Sequence, residues 1–133
     1  MIYLACPYSH PDPRVRELRF QAANSAAAKI FRPGRLCFSP ISHSHPICKV
    51  NGADGSWAAW EEFDKRVIRD LCTEVWVLVI PGHNRSVGVE AEIVYANQIG
   101  VPVKLLEPEG YVPPEVLAEL KRLWGEQAVR SRQ

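Results

Sequence analysis

The apolar run EVWVLVI, residues 74–80, is the feature that most restricts how this chain can fold. Hydrophobic residues occupy consecutive positions, so both faces of an extended backbone are apolar here. A strand of this kind is typical of the centre of a parallel sheet, where helices cover both sides. The run therefore predicts a central parallel strand.

Strand and helix patterns alternate on either side of this run. Further strands are predicted at IYLAC, RLCFS and VPVKLL, and helices at segments 13–31, 57–72, 86–100 and 113–127. Asp12 followed by Pro13 is a typical helix start, and Ser56 can cap the next helix. The alternation predicts a single α/β domain, residues 1–133, built as a three-layer, doubly wound parallel sheet of the flavodoxin-like type.

Two other stretches are predicted to lack regular structure. Segment 40–56, PISHSHPICKVNGADGS, is rich in Pro, Gly, Ser and His and shows no sustained period, which indicates a long loop. Loops of this length inside a compact domain are usually functional. The last six residues, AVRSRQ, are predicted to form a frayed tail.

Composition excludes several classes of partner. The chain of 133 residues is 47% hydrophobic and 23% charged, as is typical of a soluble globular domain. A net charge of +1 provides no basic excess for gripping a phosphate backbone, so no nucleic acid polymer is expected. Because no leader pattern and no membrane-length apolar run occur, we expect a cytoplasmic protein without a membrane partner. The cysteines are too scattered for a disulfide framework or zinc ribbon: Cys6, Cys37, Cys48 and Cys72.

The start of the helix near residue 86 carries the strongest chemical pattern. A helix beginning at Ser86 would present its hydroxyl and the free amides of Gly88 and Val89 at the positive end of the helix dipole, which is an anion site. Glu92 lies one turn after Gly88 on the same helix face. Its side chain leans back toward the first turn, which Gly88 leaves without a side chain. From spacing alone the alternative stays open that Ser86 only caps the helix and Glu92 is a solvated surface carboxylate.

Other candidate binding residues follow the predicted strands or begin a helix at the same edge. Tyr8 and Ser9 come after the first strand, where they can contact a sugar or phosphate. His43 and His45 follow the second strand and can bind phosphate or base, although plain solvation is also open. A flat base can stack on Trp57, although aromatic residues at helical spacing are also typical of a core or a subunit interface.

Three segments resemble the nucleoside 2-deoxyribosyltransferase superfamily, especially a small bacterial and phage branch. They are IYLACPYS, SPISHSH and SVGVEAEIVYANQIGVPV, and the most specific part is the pattern S-x-G-V-x-x-E after a strand. The resemblance implies that Glu92 is the nucleophile. The serine at position 86 resembles the pattern of the 2-deoxynucleoside 5′-monophosphate N-glycosidases. In those enzymes the hydroxyl and the helix N-terminus hold the 5′-phosphate. The resemblance also implies an acidic residue on the preceding helix that helps to protonate the leaving base, and Asp64 is the closest match, with Asp70 second.

The resemblance implies an enzyme that cleaves or transfers the base of a 2′-deoxynucleoside or its 5′-monophosphate through a covalent glycosyl-glutamate. It implies a small-molecule nucleoside or nucleotide partner, no metal or organic cofactor, and a homodimer or larger homo-oligomer. Two alternatives remain. One is a non-catalytic nucleotide-binding or sensor module. The other is a metal-dependent hydrolase that uses His43, His45 and Cys48.

Overall fold

The computed structural model describes residues 1–52 and 55–132, and it contains one parallel sheet of four strands. The strands are β1 (Ile2–Ala5), β2 (Cys37–Phe38), β3 (Glu74–Leu78) and β4 (Val103–Leu106). Their order is β2-β1-β3-β4, and all neighbouring pairs are parallel. The predicted doubly wound, flavodoxin-like architecture is confirmed, and the apolar run at β3 lies inside the sheet.

Within residues 1–52 and 55–132, five α-helices accompany this sheet. They are α1 (Pro13–Ile30), α2 (Pro40–Asn51), α3 (Trp57–Leu71), α4 (Val87–Ile99) and α5 (Pro114–Arg132). A short 3₁₀ helix, His83–Arg85, precedes α4. No helix within the described residues has the length and apolarity needed to cross a membrane.

Two hydrophobic clusters lie on opposite sides of the sheet because successive side chains of β1 alternate between its faces. Ile2 and Leu4 pack with α1 and α5. Tyr3 and Ala5 pack with α3 and α4 instead. Tyr3 therefore points toward the two helices that carry Asp64 and Glu92.

The structure corrects two predictions about irregular segments. Most of the predicted loop 40–56 forms α2, which begins with Ser39 as N-cap and Pro40 in the first turn. Proline, serine and histidine are weak helix formers, and Pro46 removes an internal hydrogen bond, so the periodic signal was lost. Residues 53 and 54 of that loop lie outside the described residues. The predicted tail is also wrong up to Arg132, since α5 continues to that residue.

A buried arginine joins the loops that follow β1 and β3. Arg19 is 3% exposed and donates hydrogen bonds to the carbonyl oxygens of Tyr8, Ser9 and Pro81, at 3.3, 3.1 and 3.2 Å. Gly82 follows Pro81 with φ +93°, a conformation that favours glycine. A Cβ atom at Gly82 would collide with Nη2 of Arg19. The two loops are therefore held by a contact that requires glycine.

Gly82→Ala is expected to lower the free energy of unfolding by roughly 2–4 kcal/mol. Alanine is strained at positive φ, and its Cβ would also displace the Arg19 side chain from its hydrogen bonds. Urea unfolding followed by circular dichroism measures this loss. Gly110→Ala is the matched control, since Gly110 has φ +84° with no atom within 4 Å of the added Cβ. Equal losses in the two variants would show that the Arg19 contact contributes nothing.

Candidate active site

A cavity of about 480 Å³ opens at the carboxyl edge of the sheet, between the loop after β1 and the first turns of α3 and α4. Such edges are where open α/β sheets bind ligands. Seven of the nine candidate residues predicted from sequence line this site cavity: Tyr8, Ser9, Trp57, Asp64, Ser86, Gly88 and Glu92. The structure thus brings together residues from three separate segments of the chain.

Glu92 is a buried carboxylate at the inner wall of the site cavity. It is 4% exposed, and its neighbours on the same face of α4, Val89 and Ala96, pack on the sheet. The alternative that Glu92 is solvated is therefore wrong. Asp64, on α3, is 7% exposed and faces the same cavity. Burial of two carboxyl groups in one cavity is costly for structure alone and is typical of functional sites.

Tyr3 is the residue of this group that sequence reasoning missed. Its hydroxyl is buried, and no described residue meets it with the geometry of a hydrogen bond. It nevertheless lies close enough to Glu92 and Asp64 to favour the ionised form of both carboxyl groups. A tyrosine inside an apolar strand such as IYLAC is typical of the core. A polar partner for Tyr3 could have been predicted, because the hydroxyl of a buried tyrosine usually has one.

Burial controls the ionisation of the two carboxyl groups. Desolvation raises the pKa of Glu92 to about 8, with the Tyr3 hydroxyl opposing the shift and Asp64 adding to it. Desolvation likewise raises the pKa of Asp64 to about 7, again opposed by Tyr3. Near neutral pH, therefore, the two carboxyl groups are not both fully ionised. One carboxyl group can then donate a proton while the other acts as a base or nucleophile.

Glu92→Gln is expected to change the pH dependence of stability. The pKa of Glu92 is raised from its ordinary value of 4.5 to about 8, so the folded state prefers the protonated form. That preference stabilises the fold fully below pH 4.5 and is lost as pH rises to about 8. The variant should therefore gain roughly 3–5 kcal/mol over wild type between about pH 4 and about pH 9.

Urea unfolding at several pH values measures this gain. Glu90→Gln is the matched control, because Glu90 is an exposed glutamate of the same helix. Parallel stability curves for wild type and Glu92→Gln would contradict the buried, protonated carboxyl group.

The first turn of α4 presents free amides to the site cavity. Ser86 is the N-cap, and its Oγ accepts a hydrogen bond from the Val89 amide at 3.2 Å. Val89 was predicted to offer a free amide, and this is corrected because the serine takes it. Among residues 1–52 and 55–132, the amides of Val87 and Gly88 meet no acceptor. Arg85 also lines the cavity, with its guanidinium 5.9 Å from the centroid of the Trp124 ring, and we call this first turn with Arg85 the candidate anion site.

Gly88 lies against an aromatic side chain, and this contact does not itself require a glycine. A Cβ atom there would lie 3.6 Å from Cε3 of Trp57, an ordinary contact distance. Trp57 therefore covers the first turn of α4 and forms a flat wall of the site cavity. Its predicted role in stacking a base remains a prediction that this position permits.

The two histidines predicted to bind substrate do not line the site cavity. His43 is exposed, and its ring stacks on Phe63 with centroids 5.1 Å apart. His45 is buried and instead lines a second, larger concavity of about 970 Å³ between α1 and α2, which also contains Cys48. We call this concavity the α1–α2 groove.

The metal-dependent alternative lacks its site in the described part of the chain. Both ring nitrogens of His45 are taken by Tyr8 and Glu17. No group of three histidine, cysteine or acidic side chains is placed to hold an ion within residues 1–52 and 55–132. His43, His45 and Cys48 therefore do not act as one ligand set.

Two further candidates have structural explanations. Asp70 is exposed and forms an ion pair with Arg69 at 2.8 Å, so it does not reach the site cavity. Cys6 lines the cavity, but burial raises the pKa of its thiol to about 12. A thiol with so high a pKa is a poor nucleophile, which favours a packing role.

Comparison with known proteins identifies one family. A family model described as "Domain of unknown function (DUF1937)" matches residues 1–108. No curated protein matches the chain. The matched range contains all four strands and every residue that lines the site cavity, whereas α5 lies beyond it. The chain therefore belongs to the DUF1937 family.

Proposed function

We propose that the protein cleaves or transfers the base of a 2′-deoxynucleoside 5′-monophosphate, with the free nucleoside as a poorer substrate. The observation that carries this proposal is the buried Glu92 carboxyl group, which shares one cavity with Asp64 and with the open first turn of α4. The resemblance of the S-x-G-V-x-x-E segment to nucleoside 2-deoxyribosyltransferases supports the same assignment. In this proposal the enzyme is cytoplasmic and homo-oligomeric, and it acts on free nucleotides.

Glu92 and Asp64 perform the two halves of the proposed reaction. The ionised Glu92 carboxylate forms a bond to C1′ while the bond from C1′ to the base breaks. The base leaves with that electron pair and takes a proton from Asp64. Water or a second base then attacks C1′, loses a proton to Asp64 and releases Glu92. Two displacements at C1′ give overall retention of configuration.

The candidate anion site supports a 5′-phosphate on the substrate. The free amides of Val87 and Gly88 lie at the positive end of the α4 dipole, and Arg85 lines the same cavity, so its guanidinium can pair with a phosphate bound there. This site and Glu92 lie on the same helix, about one turn apart. A nucleotide can therefore place its phosphate on the first turn while its C1′ approaches the carboxylate.

A non-catalytic nucleotide-binding module is the second candidate. The observation that favours it is the burial of Glu92, which raises its pKa to about 8, because a protonated carboxyl group is not a nucleophile. Asp64, with a pKa of about 7, would lose its proton first. Catalysis then depends on the fraction of molecules in which Glu92 is ionised and Asp64 is protonated.

The test is an assay for free base and deoxyribose 5-phosphate with the four common 2′-deoxynucleoside 5′-monophosphates and their nucleosides. We expect base release from at least one nucleotide, and at least about 10-fold higher kcat/KM than for its nucleoside, as an ionic contact to phosphate is worth more than 1 kcal/mol. Nucleotide binding without base release or base exchange over long incubation, both alone and with an added free base as acceptor, would instead establish the binding module. Absence of both binding and turnover would overturn both candidates.

A further inference from the structure

A chain of three hydrogen-bonded side chains lies where the site cavity meets the α1–α2 groove. His45 is 5% exposed, and each of its ring nitrogens has a partner. Nδ1 lies 2.5 Å from the Tyr8 hydroxyl, and Nε2 lies 2.8 Å from Oε2 of Glu17 on α1. Tyr8 lines both the cavity and the groove, so this chain ends at a side chain that the two share.

The chemistry of Glu17 gives the chain a direction. The His45 contact holds the pKa of Glu17 below its ordinary value, so the carboxylate is ionised and can only accept. Nε2 of His45 therefore carries a proton. In the tautomer with its proton on Nε2, Nδ1 carries a lone pair, and the Tyr8 hydroxyl donates its single proton to it. The Tyr8 oxygen is left as an acceptor for any further hydrogen bond.

We propose that Tyr8 is a specificity-determining contact, whose oxygen accepts a hydrogen bond from an O–H or N–H group of the bound nucleotide. Glu17 and His45 are positioning residues that keep the Tyr8 hydroxyl in this accepting orientation. The inference rests on the proposed function, because it concerns the ligand of the same cavity. The donor is the 3′-hydroxyl of the sugar or an exocyclic amino group of the base.

This contact explains two features that the proposed reaction does not use. His45 and Glu17 lie outside the site cavity, yet His45 is almost fully buried and both of its nitrogens are engaged. Tyr8 is also held through its backbone, since Arg19 donates to its carbonyl oxygen. A side chain held at both ends is suited to discriminate between ligands, because it cannot turn to suit a ligand without a donor.

The test is a binding cycle at one fixed pH of about 8. The nucleotide is deoxyadenosine 5′-monophosphate, and two analogues lack either the 3′-hydroxyl or the exocyclic amino group. Dissociation constants are measured with Glu92→Gln protein, which does not consume the ligand, with and without Tyr8→Phe. We expect one analogue to bind roughly 5–20-fold more weakly than the parent, and Tyr8→Phe to remove that difference.

Glu17→Gln tests the positioning role. Its amide can donate as well as accept, so it no longer determines which nitrogen of His45 carries the proton. We expect this variant to reduce the discrimination at least about 3-fold while Tyr8 is intact. His43→Ala is the matched control, because His43 lies on the same helix but does not line the cavity or the groove. It should leave all dissociation constants unchanged.

The possible outcomes separate this inference from the proposed function. Equal affinity for the parent and both analogues, or discrimination that survives Tyr8→Phe, would overturn the role of Tyr8 while leaving nucleotide binding in place. A uniform loss for all three ligands would show that Tyr8 only packs. No binding of any of the three would overturn this inference, whereas the nucleotide site itself is tested by the assay with all four nucleotides.

Discussion

Glu92→Gln is expected to abolish release of free base from a 2′-deoxynucleoside 5′-monophosphate, lowering kcat by at least about 10³-fold. The amide keeps the shape of the side chain but cannot form the bond to C1′. Glu92 is buried on a row of α4 that packs on the sheet. A neutral amide of the same shape suits such a site, so it should not disturb the fold. Initial rates with saturating nucleotide, followed by chromatography of the base, measure the loss.

Two controls separate lost chemistry from lost structure. Glu90→Gln changes an exposed glutamate two residues away and should keep wild-type activity. The dissociation constant of the nucleotide for Glu92→Gln should remain within about 10-fold of wild type, since the candidate anion site is untouched. Base release by Glu92→Gln at more than a tenth of the wild-type rate would refute the role of Glu92 as nucleophile.

Asp64→Asn is expected to lower kcat by about 10²–10⁴-fold for ordinary nucleotides, because the departing base would no longer receive a proton. Burial raises the pKa of Asp64 to about 7, which keeps a useful fraction protonated near neutral pH. The loss should nearly vanish with a substrate whose base leaves without protonation. An N7-methylated purine nucleotide is such a substrate, since its base already carries the charge that protonation would supply.

Comparing the loss of kcat for an ordinary nucleotide with that for the N7-methylated nucleotide identifies a proton donor better than either rate alone. A residue that only shapes the cavity would affect both substrates equally, and this result would remove Asp64 from the proposed mechanism. Asp70→Asn is the matched control, because Asp70 lies on the same helix but is exposed and paired with Arg69. It should keep wild-type rates with both substrates.

The fold was predictable because its main determinants are local and periodic. The apolar run at β3, the cap at Asp12 and the alternation of strands with helices each indicate their element directly. The order of the strands was not available from these signals, since it depends on how separate segments pair. Helix α2 was missed for the opposite reason: its residues carry weak helix propensity, and it is stabilised by the Ser39 cap and by packing of Ile41 in the core.

The candidate site was only partly predictable. Spacing placed Ser86, Gly88 and Glu92 at one helix start, and the edge rule for parallel sheets brought Tyr8 and Ser9 to the same place. The side-chain direction of Tyr3 and the partners of His45 depend on contacts between distant elements. No pattern in one sequence reveals that His45 meets Glu17, which lies 28 positions away.

The most direct test of the account is a crystal structure of the Asp64→Asn variant bound to a 2′-deoxynucleoside 5′-monophosphate. We expect a carboxylate oxygen of Glu92 about 3–3.5 Å from C1′, on the face opposite the base, with the phosphate on the amides of Val87 and Gly88. A nucleotide bound with C1′ beyond about 6 Å from Glu92, or seated in the α1–α2 groove alone, would contradict a nucleophilic role for this carboxyl group.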